Sequence, residues 1–345
     1  MLNDLMITAL DPALSARVQA AIDAKTKPPG SLGRIERLAL QMALAQGTEA
    51  PSADPAHLLI FAGDHGLVEE GVSAWPQEVT GQMVQNFLSG GAAANVFARS
   101  NRVDLTVVDA GVASDLPDHP DLLRANIRKG TRNAAVEDAL TPDEVDAALA
   151  FGAGIAQRAV TAGARVVALG EMGIGNTASA TLLGHAIAGL DLHALTGPGA
   201  GLDTAGVDRK REILGRTAAR RRTDGPYDAL AAFAGLEIAA MAGALIGAAA
   251  ARAVVLVDGF IATAAALAAL TARPEAAPYV VFAHRSHEPG HRLMLDHLGA
   301  EPVLDLDLRL GEGTGALLAV PLLRAACAML AEMATFESAG VSDKA

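Results

Sequence analysis

The sequence predicts a Rossmann-like α/β fold: a mostly parallel sheet flanked by helices, with a small helical layer built from the N- and C-terminal segments. Three observations predict it. Short apolar runs recur along the chain, each ends in glycine or a polar cluster, and most are followed by an alanine-rich stretch of helical character. Strand–loop–helix alternation of this kind gives a parallel sheet covered by helices. Strands buried on both faces read as continuous apolar runs rather than as alternating ones.

Taken in order, residues 12–24 and 32–46 read as helices ahead of the sheet. Strands are expected at residues 57–62 (HLLIFA), 103–109 (VDLTVVD), 164–169 (ARVVAL), 253–257 (AVVLV), 279–283 (YVVFA) and 302–306. Segment 113–146 is polar and carries prolines, which suits an excursion between sheet units. Residues 314–333 form an expected closing helix, with Cys327 as one of its packing residues, and the tail 337–345 is expected to fray. The implied division is a large α/β catalytic domain over residues 50–311, with a small helical domain from residues 1–49 and 312–345. There is no internal repeat and no low-complexity linker.

Composition narrows the partners. In 345 residues, Asp and Glu number 39 against 27 Lys and Arg, a net charge of −12, which argues against a general nucleic-acid binder. It leaves room for a local basic pocket that holds one phosphorylated small molecule. Hydrophobic residues make up 51% but aromatics only 3%, so the core is built from Ala, Val, Leu and Ile, and global disorder is excluded. One cysteine cannot form an internal disulfide, and the first residues carry two acids and no basic region of a secretory signal. A cytoplasmic location is expected. The apolar run 230–270 is interrupted by Glu237, Arg252 and Asp258, so it reads as a buried helix followed by a buried strand rather than as a membrane span.

Because α/β sheets bind ligands beyond the carboxyl ends of their strands, the loops there carry the chemistry. After the first strand comes Gly63-Asp64-His65-Gly66, followed by a loop holding the only tryptophan, Trp75. The Asp64–His65 dipeptide suits an acid/base pair, metal ligands, or a turn in which Asp64 caps backbone donors. The Trp75 ring suits stacking on a planar heterocycle, or filling a gap beneath the loop. After the third strand, Gly170-Glu171-Met172-Gly173-Ile174-Gly175-Asn176-Thr177 leads into a helix. Convergent backbone N–H groups there make an anion site, with Asn176 or Thr177 available as a cap. A carboxylate repels phosphate, so Glu171 points to another task, such as a ribose hydroxyl or a proton.

A second glycine cluster, Gly197 to Gly201, precedes Arg209-Lys210-Arg211, of which Lys210 and one arginine suit a phosphate; the other charges suit a solvated helix face. The run into Asp258-Gly259 loosely resembles the ribose-gripping motif of diphosphate-using phosphoribosyltransferases, but Gly259 stands where that motif has its second acid. In 284–291, His284, His287, His291 and Glu288 lack the H-E-x-x-H spacing of a zinc site, and no metal or cofactor is expected. Finally, Glu312 lies between Gly311 and Gly313 at the start of the last helix. The helix N-terminus would depress its pKa and burial would raise it. Either balance suits a general base.

KPPGSLGR (27–34), GDHGLVEEGVSAWPQEVT (63–80), GEMGIGNT (170–177), VDGFIA (257–262) and RLGEGTGA (309–316), in this order and spacing, closely resemble the nicotinate-nucleotide–dimethylbenzimidazole phosphoribosyltransferases. The resemblance runs from about residue 22 to residue 333. It implies that 5,6-dimethylbenzimidazole displaces nicotinate from nicotinate mononucleotide, giving α-ribazole 5′-phosphate for the cobalamin nucleotide loop. It implies Glu312 as catalytic base and Glu171 as a second group in proton traffic. By the same resemblance Gly173, Gly175 and Asn176 hold the nucleotide, Lys210 and Ser286 its phosphate, and Gly259 allows close approach. Trp75, Met83 and Leu310 would line the benzimidazole pocket, and the enzyme would be a homodimer. Two other readings are a catalytically silent azole-riboside binding protein and a Mg²⁺-dependent transferase using the 1-diphosphate donor. Intact Glu312 and Glu171 oppose the first, and Gly259 opposes the second.

Overall fold

The structure, a computed structural model, describes residues 5–342. Six strands form one parallel sheet: β1 (Ala56–Gly63), β2 (Asp104–Gly111), β3 (Leu122–Arg124), β4 (Val166–Met172), β5 (Val254–Val257) and β6 (Val280–Phe282). Their order is β3-β2-β1-β4-β5-β6. The chain first winds outward from β1 to β3, then returns to the other side of β1 and winds through β4 to β6. The switch between β1 and β4 opens a crevice at their carboxyl ends, the usual ligand position in such sheets.

The helices are α1 (Pro12–Asp23), α2 (Arg34–Gln46), α3 (Glu78–Leu88), α4 (Ala93–Ser100), α5 (Pro142–Thr161), α6 (Asn176–Ala188) and α7 (Leu192–Leu195). They continue with α8 (Thr204–Arg220), α9 (Gly225–Phe233), α10 (Leu236–Ala250), α11 (Phe260–Ala272), α12 (Pro289–His297), α13 (Thr314–Glu332) and α14 (Phe336–Ala339). Helices α10, α5 and α11 cover one face of the sheet, while α2, α3, α4 and α13 lie against the other. Helix α1 packs on α2, and Lys25 bridges to Thr335 near α14, so both chain ends meet in one layer.

Small residues explain how α10 packs. A Cβ on Gly152 of α5 would collide with the Ala240 carbonyl of α10, and one on Gly243 of α10 with the Leu149 carbonyl of α5. The two helices therefore touch backbone to backbone, and an added methyl would force a shift costing ~1–3 kcal/mol. The apolar run 230–270 is thus distributed over α9, α10, β5 and α11, more elements than the one helix and one strand expected. Helix α13 is, among the described residues, the one helix long and apolar enough to cross a membrane, but it packs on α2, α4 and β4. Cys327 is buried within it, and burial pushes its thiol up to about 11.

Two strand expectations need correction. Residues 302–306 form no strand; they run beside the end of β6 with a single bridge, His284 to Leu304. Pro302 has no N–H to donate, and Asp307 turns into the left-handed region (φ 55°), so the run cannot continue as a ladder. Conversely, β3 lies inside the segment expected to be an excursion, pairing Val107 with Leu122 and Asp109 with Arg124. Three residues are too few to show a period. Residues 337–339 of the tail expected to fray belong instead to the short α14, which Thr335 caps by accepting the Ser338 N–H at 3.0 Å. Residues 343–345 of that tail, like residues 1–4 of the start, lie outside the described residues.

Candidate active site

The parallel register brings the predicted loops together. Pairing of Phe61 with Glu171 and of Ala62 with Met172 puts the turn after β4 beside the turn after β1. The Glu312 N–H donates to the Glu171 carbonyl at 3.2 Å, joining the turn before α13 to the same place. A Cβ on Gly170 would stand 2.7 Å from the Glu312 carbonyl oxygen, so glycine is what lets the two turns meet. Beyond these strand ends lies a cavity walled by Glu171, Gly173, Asn176, Gly259, Ser286 and Leu310.

Glu171 is 6% exposed. Its Oε2 accepts a short hydrogen bond from the Asn176 side chain, and a Cβ on Gly311 would collide with its Oε1. Burial, together with the nearby carboxylates of Asp258, Glu237 and Glu312, raises its pKa to about 8. It is therefore a carboxyl that keeps its proton at neutral pH. Asn176 and Thr177, expected as alternative caps of α6, do not cap it: Gly175 occupies that position without a side chain. Asn176 is drawn to Glu171 instead, and the Thr177 hydroxyl accepts from Lys210 Nζ at 2.8 Å.

Glu312 is also buried, at 5% exposure. Its Oε2 accepts the Ala94 N–H at 3.1 Å. Glu312 has φ 61°, between Gly311 at 90° and Gly313 at 79°, so three successive residues lie in the left-handed region. A glutamate there is strained, at a cost of ~1–3 kcal/mol, and such strain persists where the surroundings over-determine it. Burial raises its pKa, helped by Asp258. The opposing effect comes from the Ala94 N–H in the first turn of α4, which lowers its pKa, and not from α13, whose Ala316, Gly315 and Gly313 N–H groups go to the Asp258 carboxylate.

Lys210 lies one layer behind the cavity, 1% exposed on the inward face of α8, while its neighbours Arg209 and Arg211 stay at the surface side of that helix. Its ammonium reaches Thr177 and, at 3.4 Å, the Gly197 carbonyl, and burial lowers its pKa to about 8. Glu288 is buried nearby, and burial raises its carboxyl. Ser286 and Gly259 face the same cavity, with His284 next to both. His291 accepts the Ser286 N–H at Nδ1 and pairs with the Thr263 hydroxyl at Nε2, and burial drives its pKa to about 3, so it is neutral. Among the described residues no group of three or more His, Cys, Asp or Glu is arranged to hold a metal ion.

The remaining positions divide. Leu310 is 61% exposed at the cavity edge. Trp75 is 51% exposed, and its indole N–H donates to the Ala200 carbonyl at 2.8 Å, bridging the loop after β1 to the second glycine loop. Gly175 lies behind the cavity wall against Val68 and His65. Met83 is half-buried on α3, one turn from Thr80, whose hydroxyl accepts the Ile174 N–H at 3.1 Å. Asp64 proves to be a backbone cap, accepting the Ala113 N–H at 2.8 Å. His65 pairs instead with Glu237 of α10, Nε2 to Oε1 2.7 Å, with both side chains buried. Sequence reasoning missed Glu237 and Thr80. A lone acid in the otherwise apolar LEIAAMAGALIGAAA is the signal that points to Glu237; nothing marks Thr80.

A glycine-walled crevice at the switch point of a parallel sheet, lined by buried acids with a buried lysine behind it, is the architecture of an α/β enzyme that handles a nucleotide. Residues 7–341 match the family described as phosphoribosyltransferase, and the chain belongs to that family. It is 53% identical to the nicotinate-nucleotide–dimethylbenzimidazole phosphoribosyltransferase of Aromatoleum aromaticum, covering 99% of both chains. It is 55% identical to that of Cupriavidus necator, covering 97% of both. The crystal structure of the Thermus thermophilus enzyme of the same name superposes with a TM-score of 0.92 at 46% identity, covering 97% of this chain and 100% of that one.

Proposed function

We propose that this chain transfers the phosphoribosyl group of nicotinate mononucleotide to 5,6-dimethylbenzimidazole, releasing nicotinate and forming α-ribazole 5′-phosphate for cobalamin assembly. The observation that carries the reading is the abutment of Glu171 and Glu312 at the switch crevice, joined by the 3.2 Å backbone hydrogen bond. The relatives named above support the same reaction along nearly the whole chain.

In this reading a benzimidazole ring nitrogen attacks C1′ of the ribose as the bond from C1′ to the pyridinium nitrogen breaks. The bonding pair leaves with nicotinate, and the proton on the other benzimidazole nitrogen passes to Glu312. Attack opposite the leaving group converts the β-nucleotide to an α-nucleotide, so the crevice must hold both rings in line. A base must be ionised at the outset, and a raised pKa brings Glu312 closer to that of the proton it takes. Positive charge sits on the pyridinium and grows on the ribose. The cluster of Glu171, Asp258 and Glu312 is fixed where that charge appears, which is electrostatic preorganisation. The positive pyridinium of the bound nucleotide favours the ionised form of Glu171 and lowers its pKa, its proton passing to solvent on binding.

Lys210, through its contact with Thr177, and Ser286 hold the 5′-phosphate, while Gly173, Gly175 and Asn176 shape the nucleotide wall and Gly259 admits close approach. Leu310, Trp75 and Met83 line the acceptor side. The same reading takes residues 50–311 as the large α/β catalytic domain and residues 1–49 and 312–345 as a small helical domain whose Glu312 reaches into the crevice, and has the enzyme working as a homodimer in the cytoplasm. The test is to compare donors. Nicotinate release from the mononucleotide on adding dimethylbenzimidazole supports the reading, whereas activity confined to the 1-diphosphate donor with Mg²⁺ overturns it.

A further inference from the structure

We propose that the buried His65–Glu237 pair is the positioning element of the Glu171 turn, fixing its glycines in place and setting the charge that Glu171 meets. The proposal rests on the assignment of Glu171 to the nucleotide site.

Three elements meet at this pair, two of them with no room for a side chain. A Cβ on Gly63 at the end of β1 would lie 2.7 Å from Glu237 Oε2. One on Gly235, just before α10, would collide with both Glu237 and His65. From the Glu171 turn, a Cβ on Gly173 would lie 3.4 Å from His65 Nε2, and one on Gly175 3.4 Å from His65 Cβ. The turn thus lies alongside the His65 side chain, while its tightest seats are the Gly63 carbonyl against Gly173 and Val68 against Gly175, and Gly63 itself is pressed against Glu237. Glu237 is wholly buried, and among the described residues its second oxygen has no hydrogen-bond partner. A buried pair of this kind is weak evidence of stability in its own right, since desolvating two charges offsets most of their attraction. A positioning task accounts for its retention under the reacting turn.

The surroundings of both groups are defined. His65 faces Glu237 from α10 and Asp64 beside it; burial acts against its charge, but the two carboxylates prevail and raise its pKa. Glu171 faces Glu237 from α10, Asp258 from the end of β5 and Glu312 from the turn before α13. His284 sits on Asp258 at 3.5 Å, and Lys210 and Glu288 stand beyond, on the far side of Thr177 and Gly197. Removing the anion at 237 makes Glu171 easier to ionise. Removing His65 takes away the hydrogen-bond partner that holds the Glu237 carboxylate under the turn.

The experiment compares the wild type with Glu237→Gln, His65→Gln and a control core change on α10, Ile246→Val, by kcat, KM for nicotinate mononucleotide, the pH profile of kcat/KM and thermal melting. Inactive wild type would reject the functional reading rather than this proposal. The expected result is a loss of ~10-fold or more in kcat/KM for both site variants, the scale of a misplaced reacting group. The inflection of the profile moves to lower pH in Glu237→Gln, which removes an anion facing Glu171, while Ile246→Val keeps the wild-type profile. An inflection in Glu237→Gln that is unchanged or displaced to higher pH overturns the proposal whatever the melting temperatures do. If Glu237→Gln fails to fold, a folded His65→Gln with wild-type kcat/KM overturns it.

Discussion

Asp258, at the end of β5, accepts the Ala316 backbone N–H at 2.9 Å and so caps the helix that Glu312 precedes. One acid satisfies the helix; the other is left free of it, buried and strained, at the reacting crevice. Asp258→Ala removes the cap, and the expected loss is ~1–2 kcal/mol of stability by urea unfolding, together with a fall in kcat as the Glu312 turn loosens. Asp258→Asn keeps an acceptor for the helix and should retain most of the stability. A stable Asp258→Ala variant with full turnover would show that the cap does not hold the turn.

Glu312→Gln keeps the shape of the side chain and an acceptor for the Ala94 N–H. Turnover should fall at least ~100-fold, the low end of general acid–base contributions, with nucleotide binding and melting temperature little changed. Near-normal turnover would remove Glu312 from the role of base.

Lys210 titrates at about 8 rather than 10.5 because it is buried. It is cationic at neutral pH, so nucleotide affinity should fall as pH rises through about 8. Lys210→Ala should raise KM for the nucleotide and abolish that pH dependence with kcat largely kept, since phosphate binding is common to ground and transition states. A pure loss of kcat would contradict this. The linkage to stability has the opposite sign. Between about 8 and 10.5 the unfolded chain keeps a proton that the folded one has lost, so this group's contribution makes the free protein more stable as pH rises across that window.

Glu171 gives the converse. Its folded pKa of about 8 lies above the ordinary 4.5, so between those values the folded state holds a proton that the unfolded state has released. Its contribution is complete below 4.5 and is lost as pH rises through about 8. Glu171→Gln is neutral throughout, so its stability relative to wild type should grow over that window by on the order of 1 kcal/mol or more. A stability difference that does not change with pH would show that Glu171 ionises in the folded protein as freely as in water.

The sheet and its functional loops were legible because a buried parallel strand is an unbroken apolar run and a ligand loop follows it with glycine and acid. That pattern marks Glu171 at the end of β4 and Asp258 after β5 without further help. It fails where the physics is not local. The three residues of β3 are too few to show a period, and residues 302–306 have strand-like composition but begin with a proline and run into the left-handed Asp307, which together prevent a ladder. Asn176 looks like a cap until a buried carboxyl competes for its amide. Glu237 reads as a flaw in an apolar helix because its partner, His65, is 172 residues away in the chain. The burial of Glu312 depends on Ala94 and Asp258, neither of which is near it in sequence.

The central claim is that one ring displaces another at C1′ with inversion. The most direct measurement incubates the protein with nicotinate mononucleotide and 5,6-dimethylbenzimidazole and determines the anomeric configuration of the product by nuclear magnetic resonance. The account predicts the α-riboside 5′-phosphate with one nicotinate released per product. A β-riboside, or no nicotinate release in the presence of the benzimidazole, would contradict it.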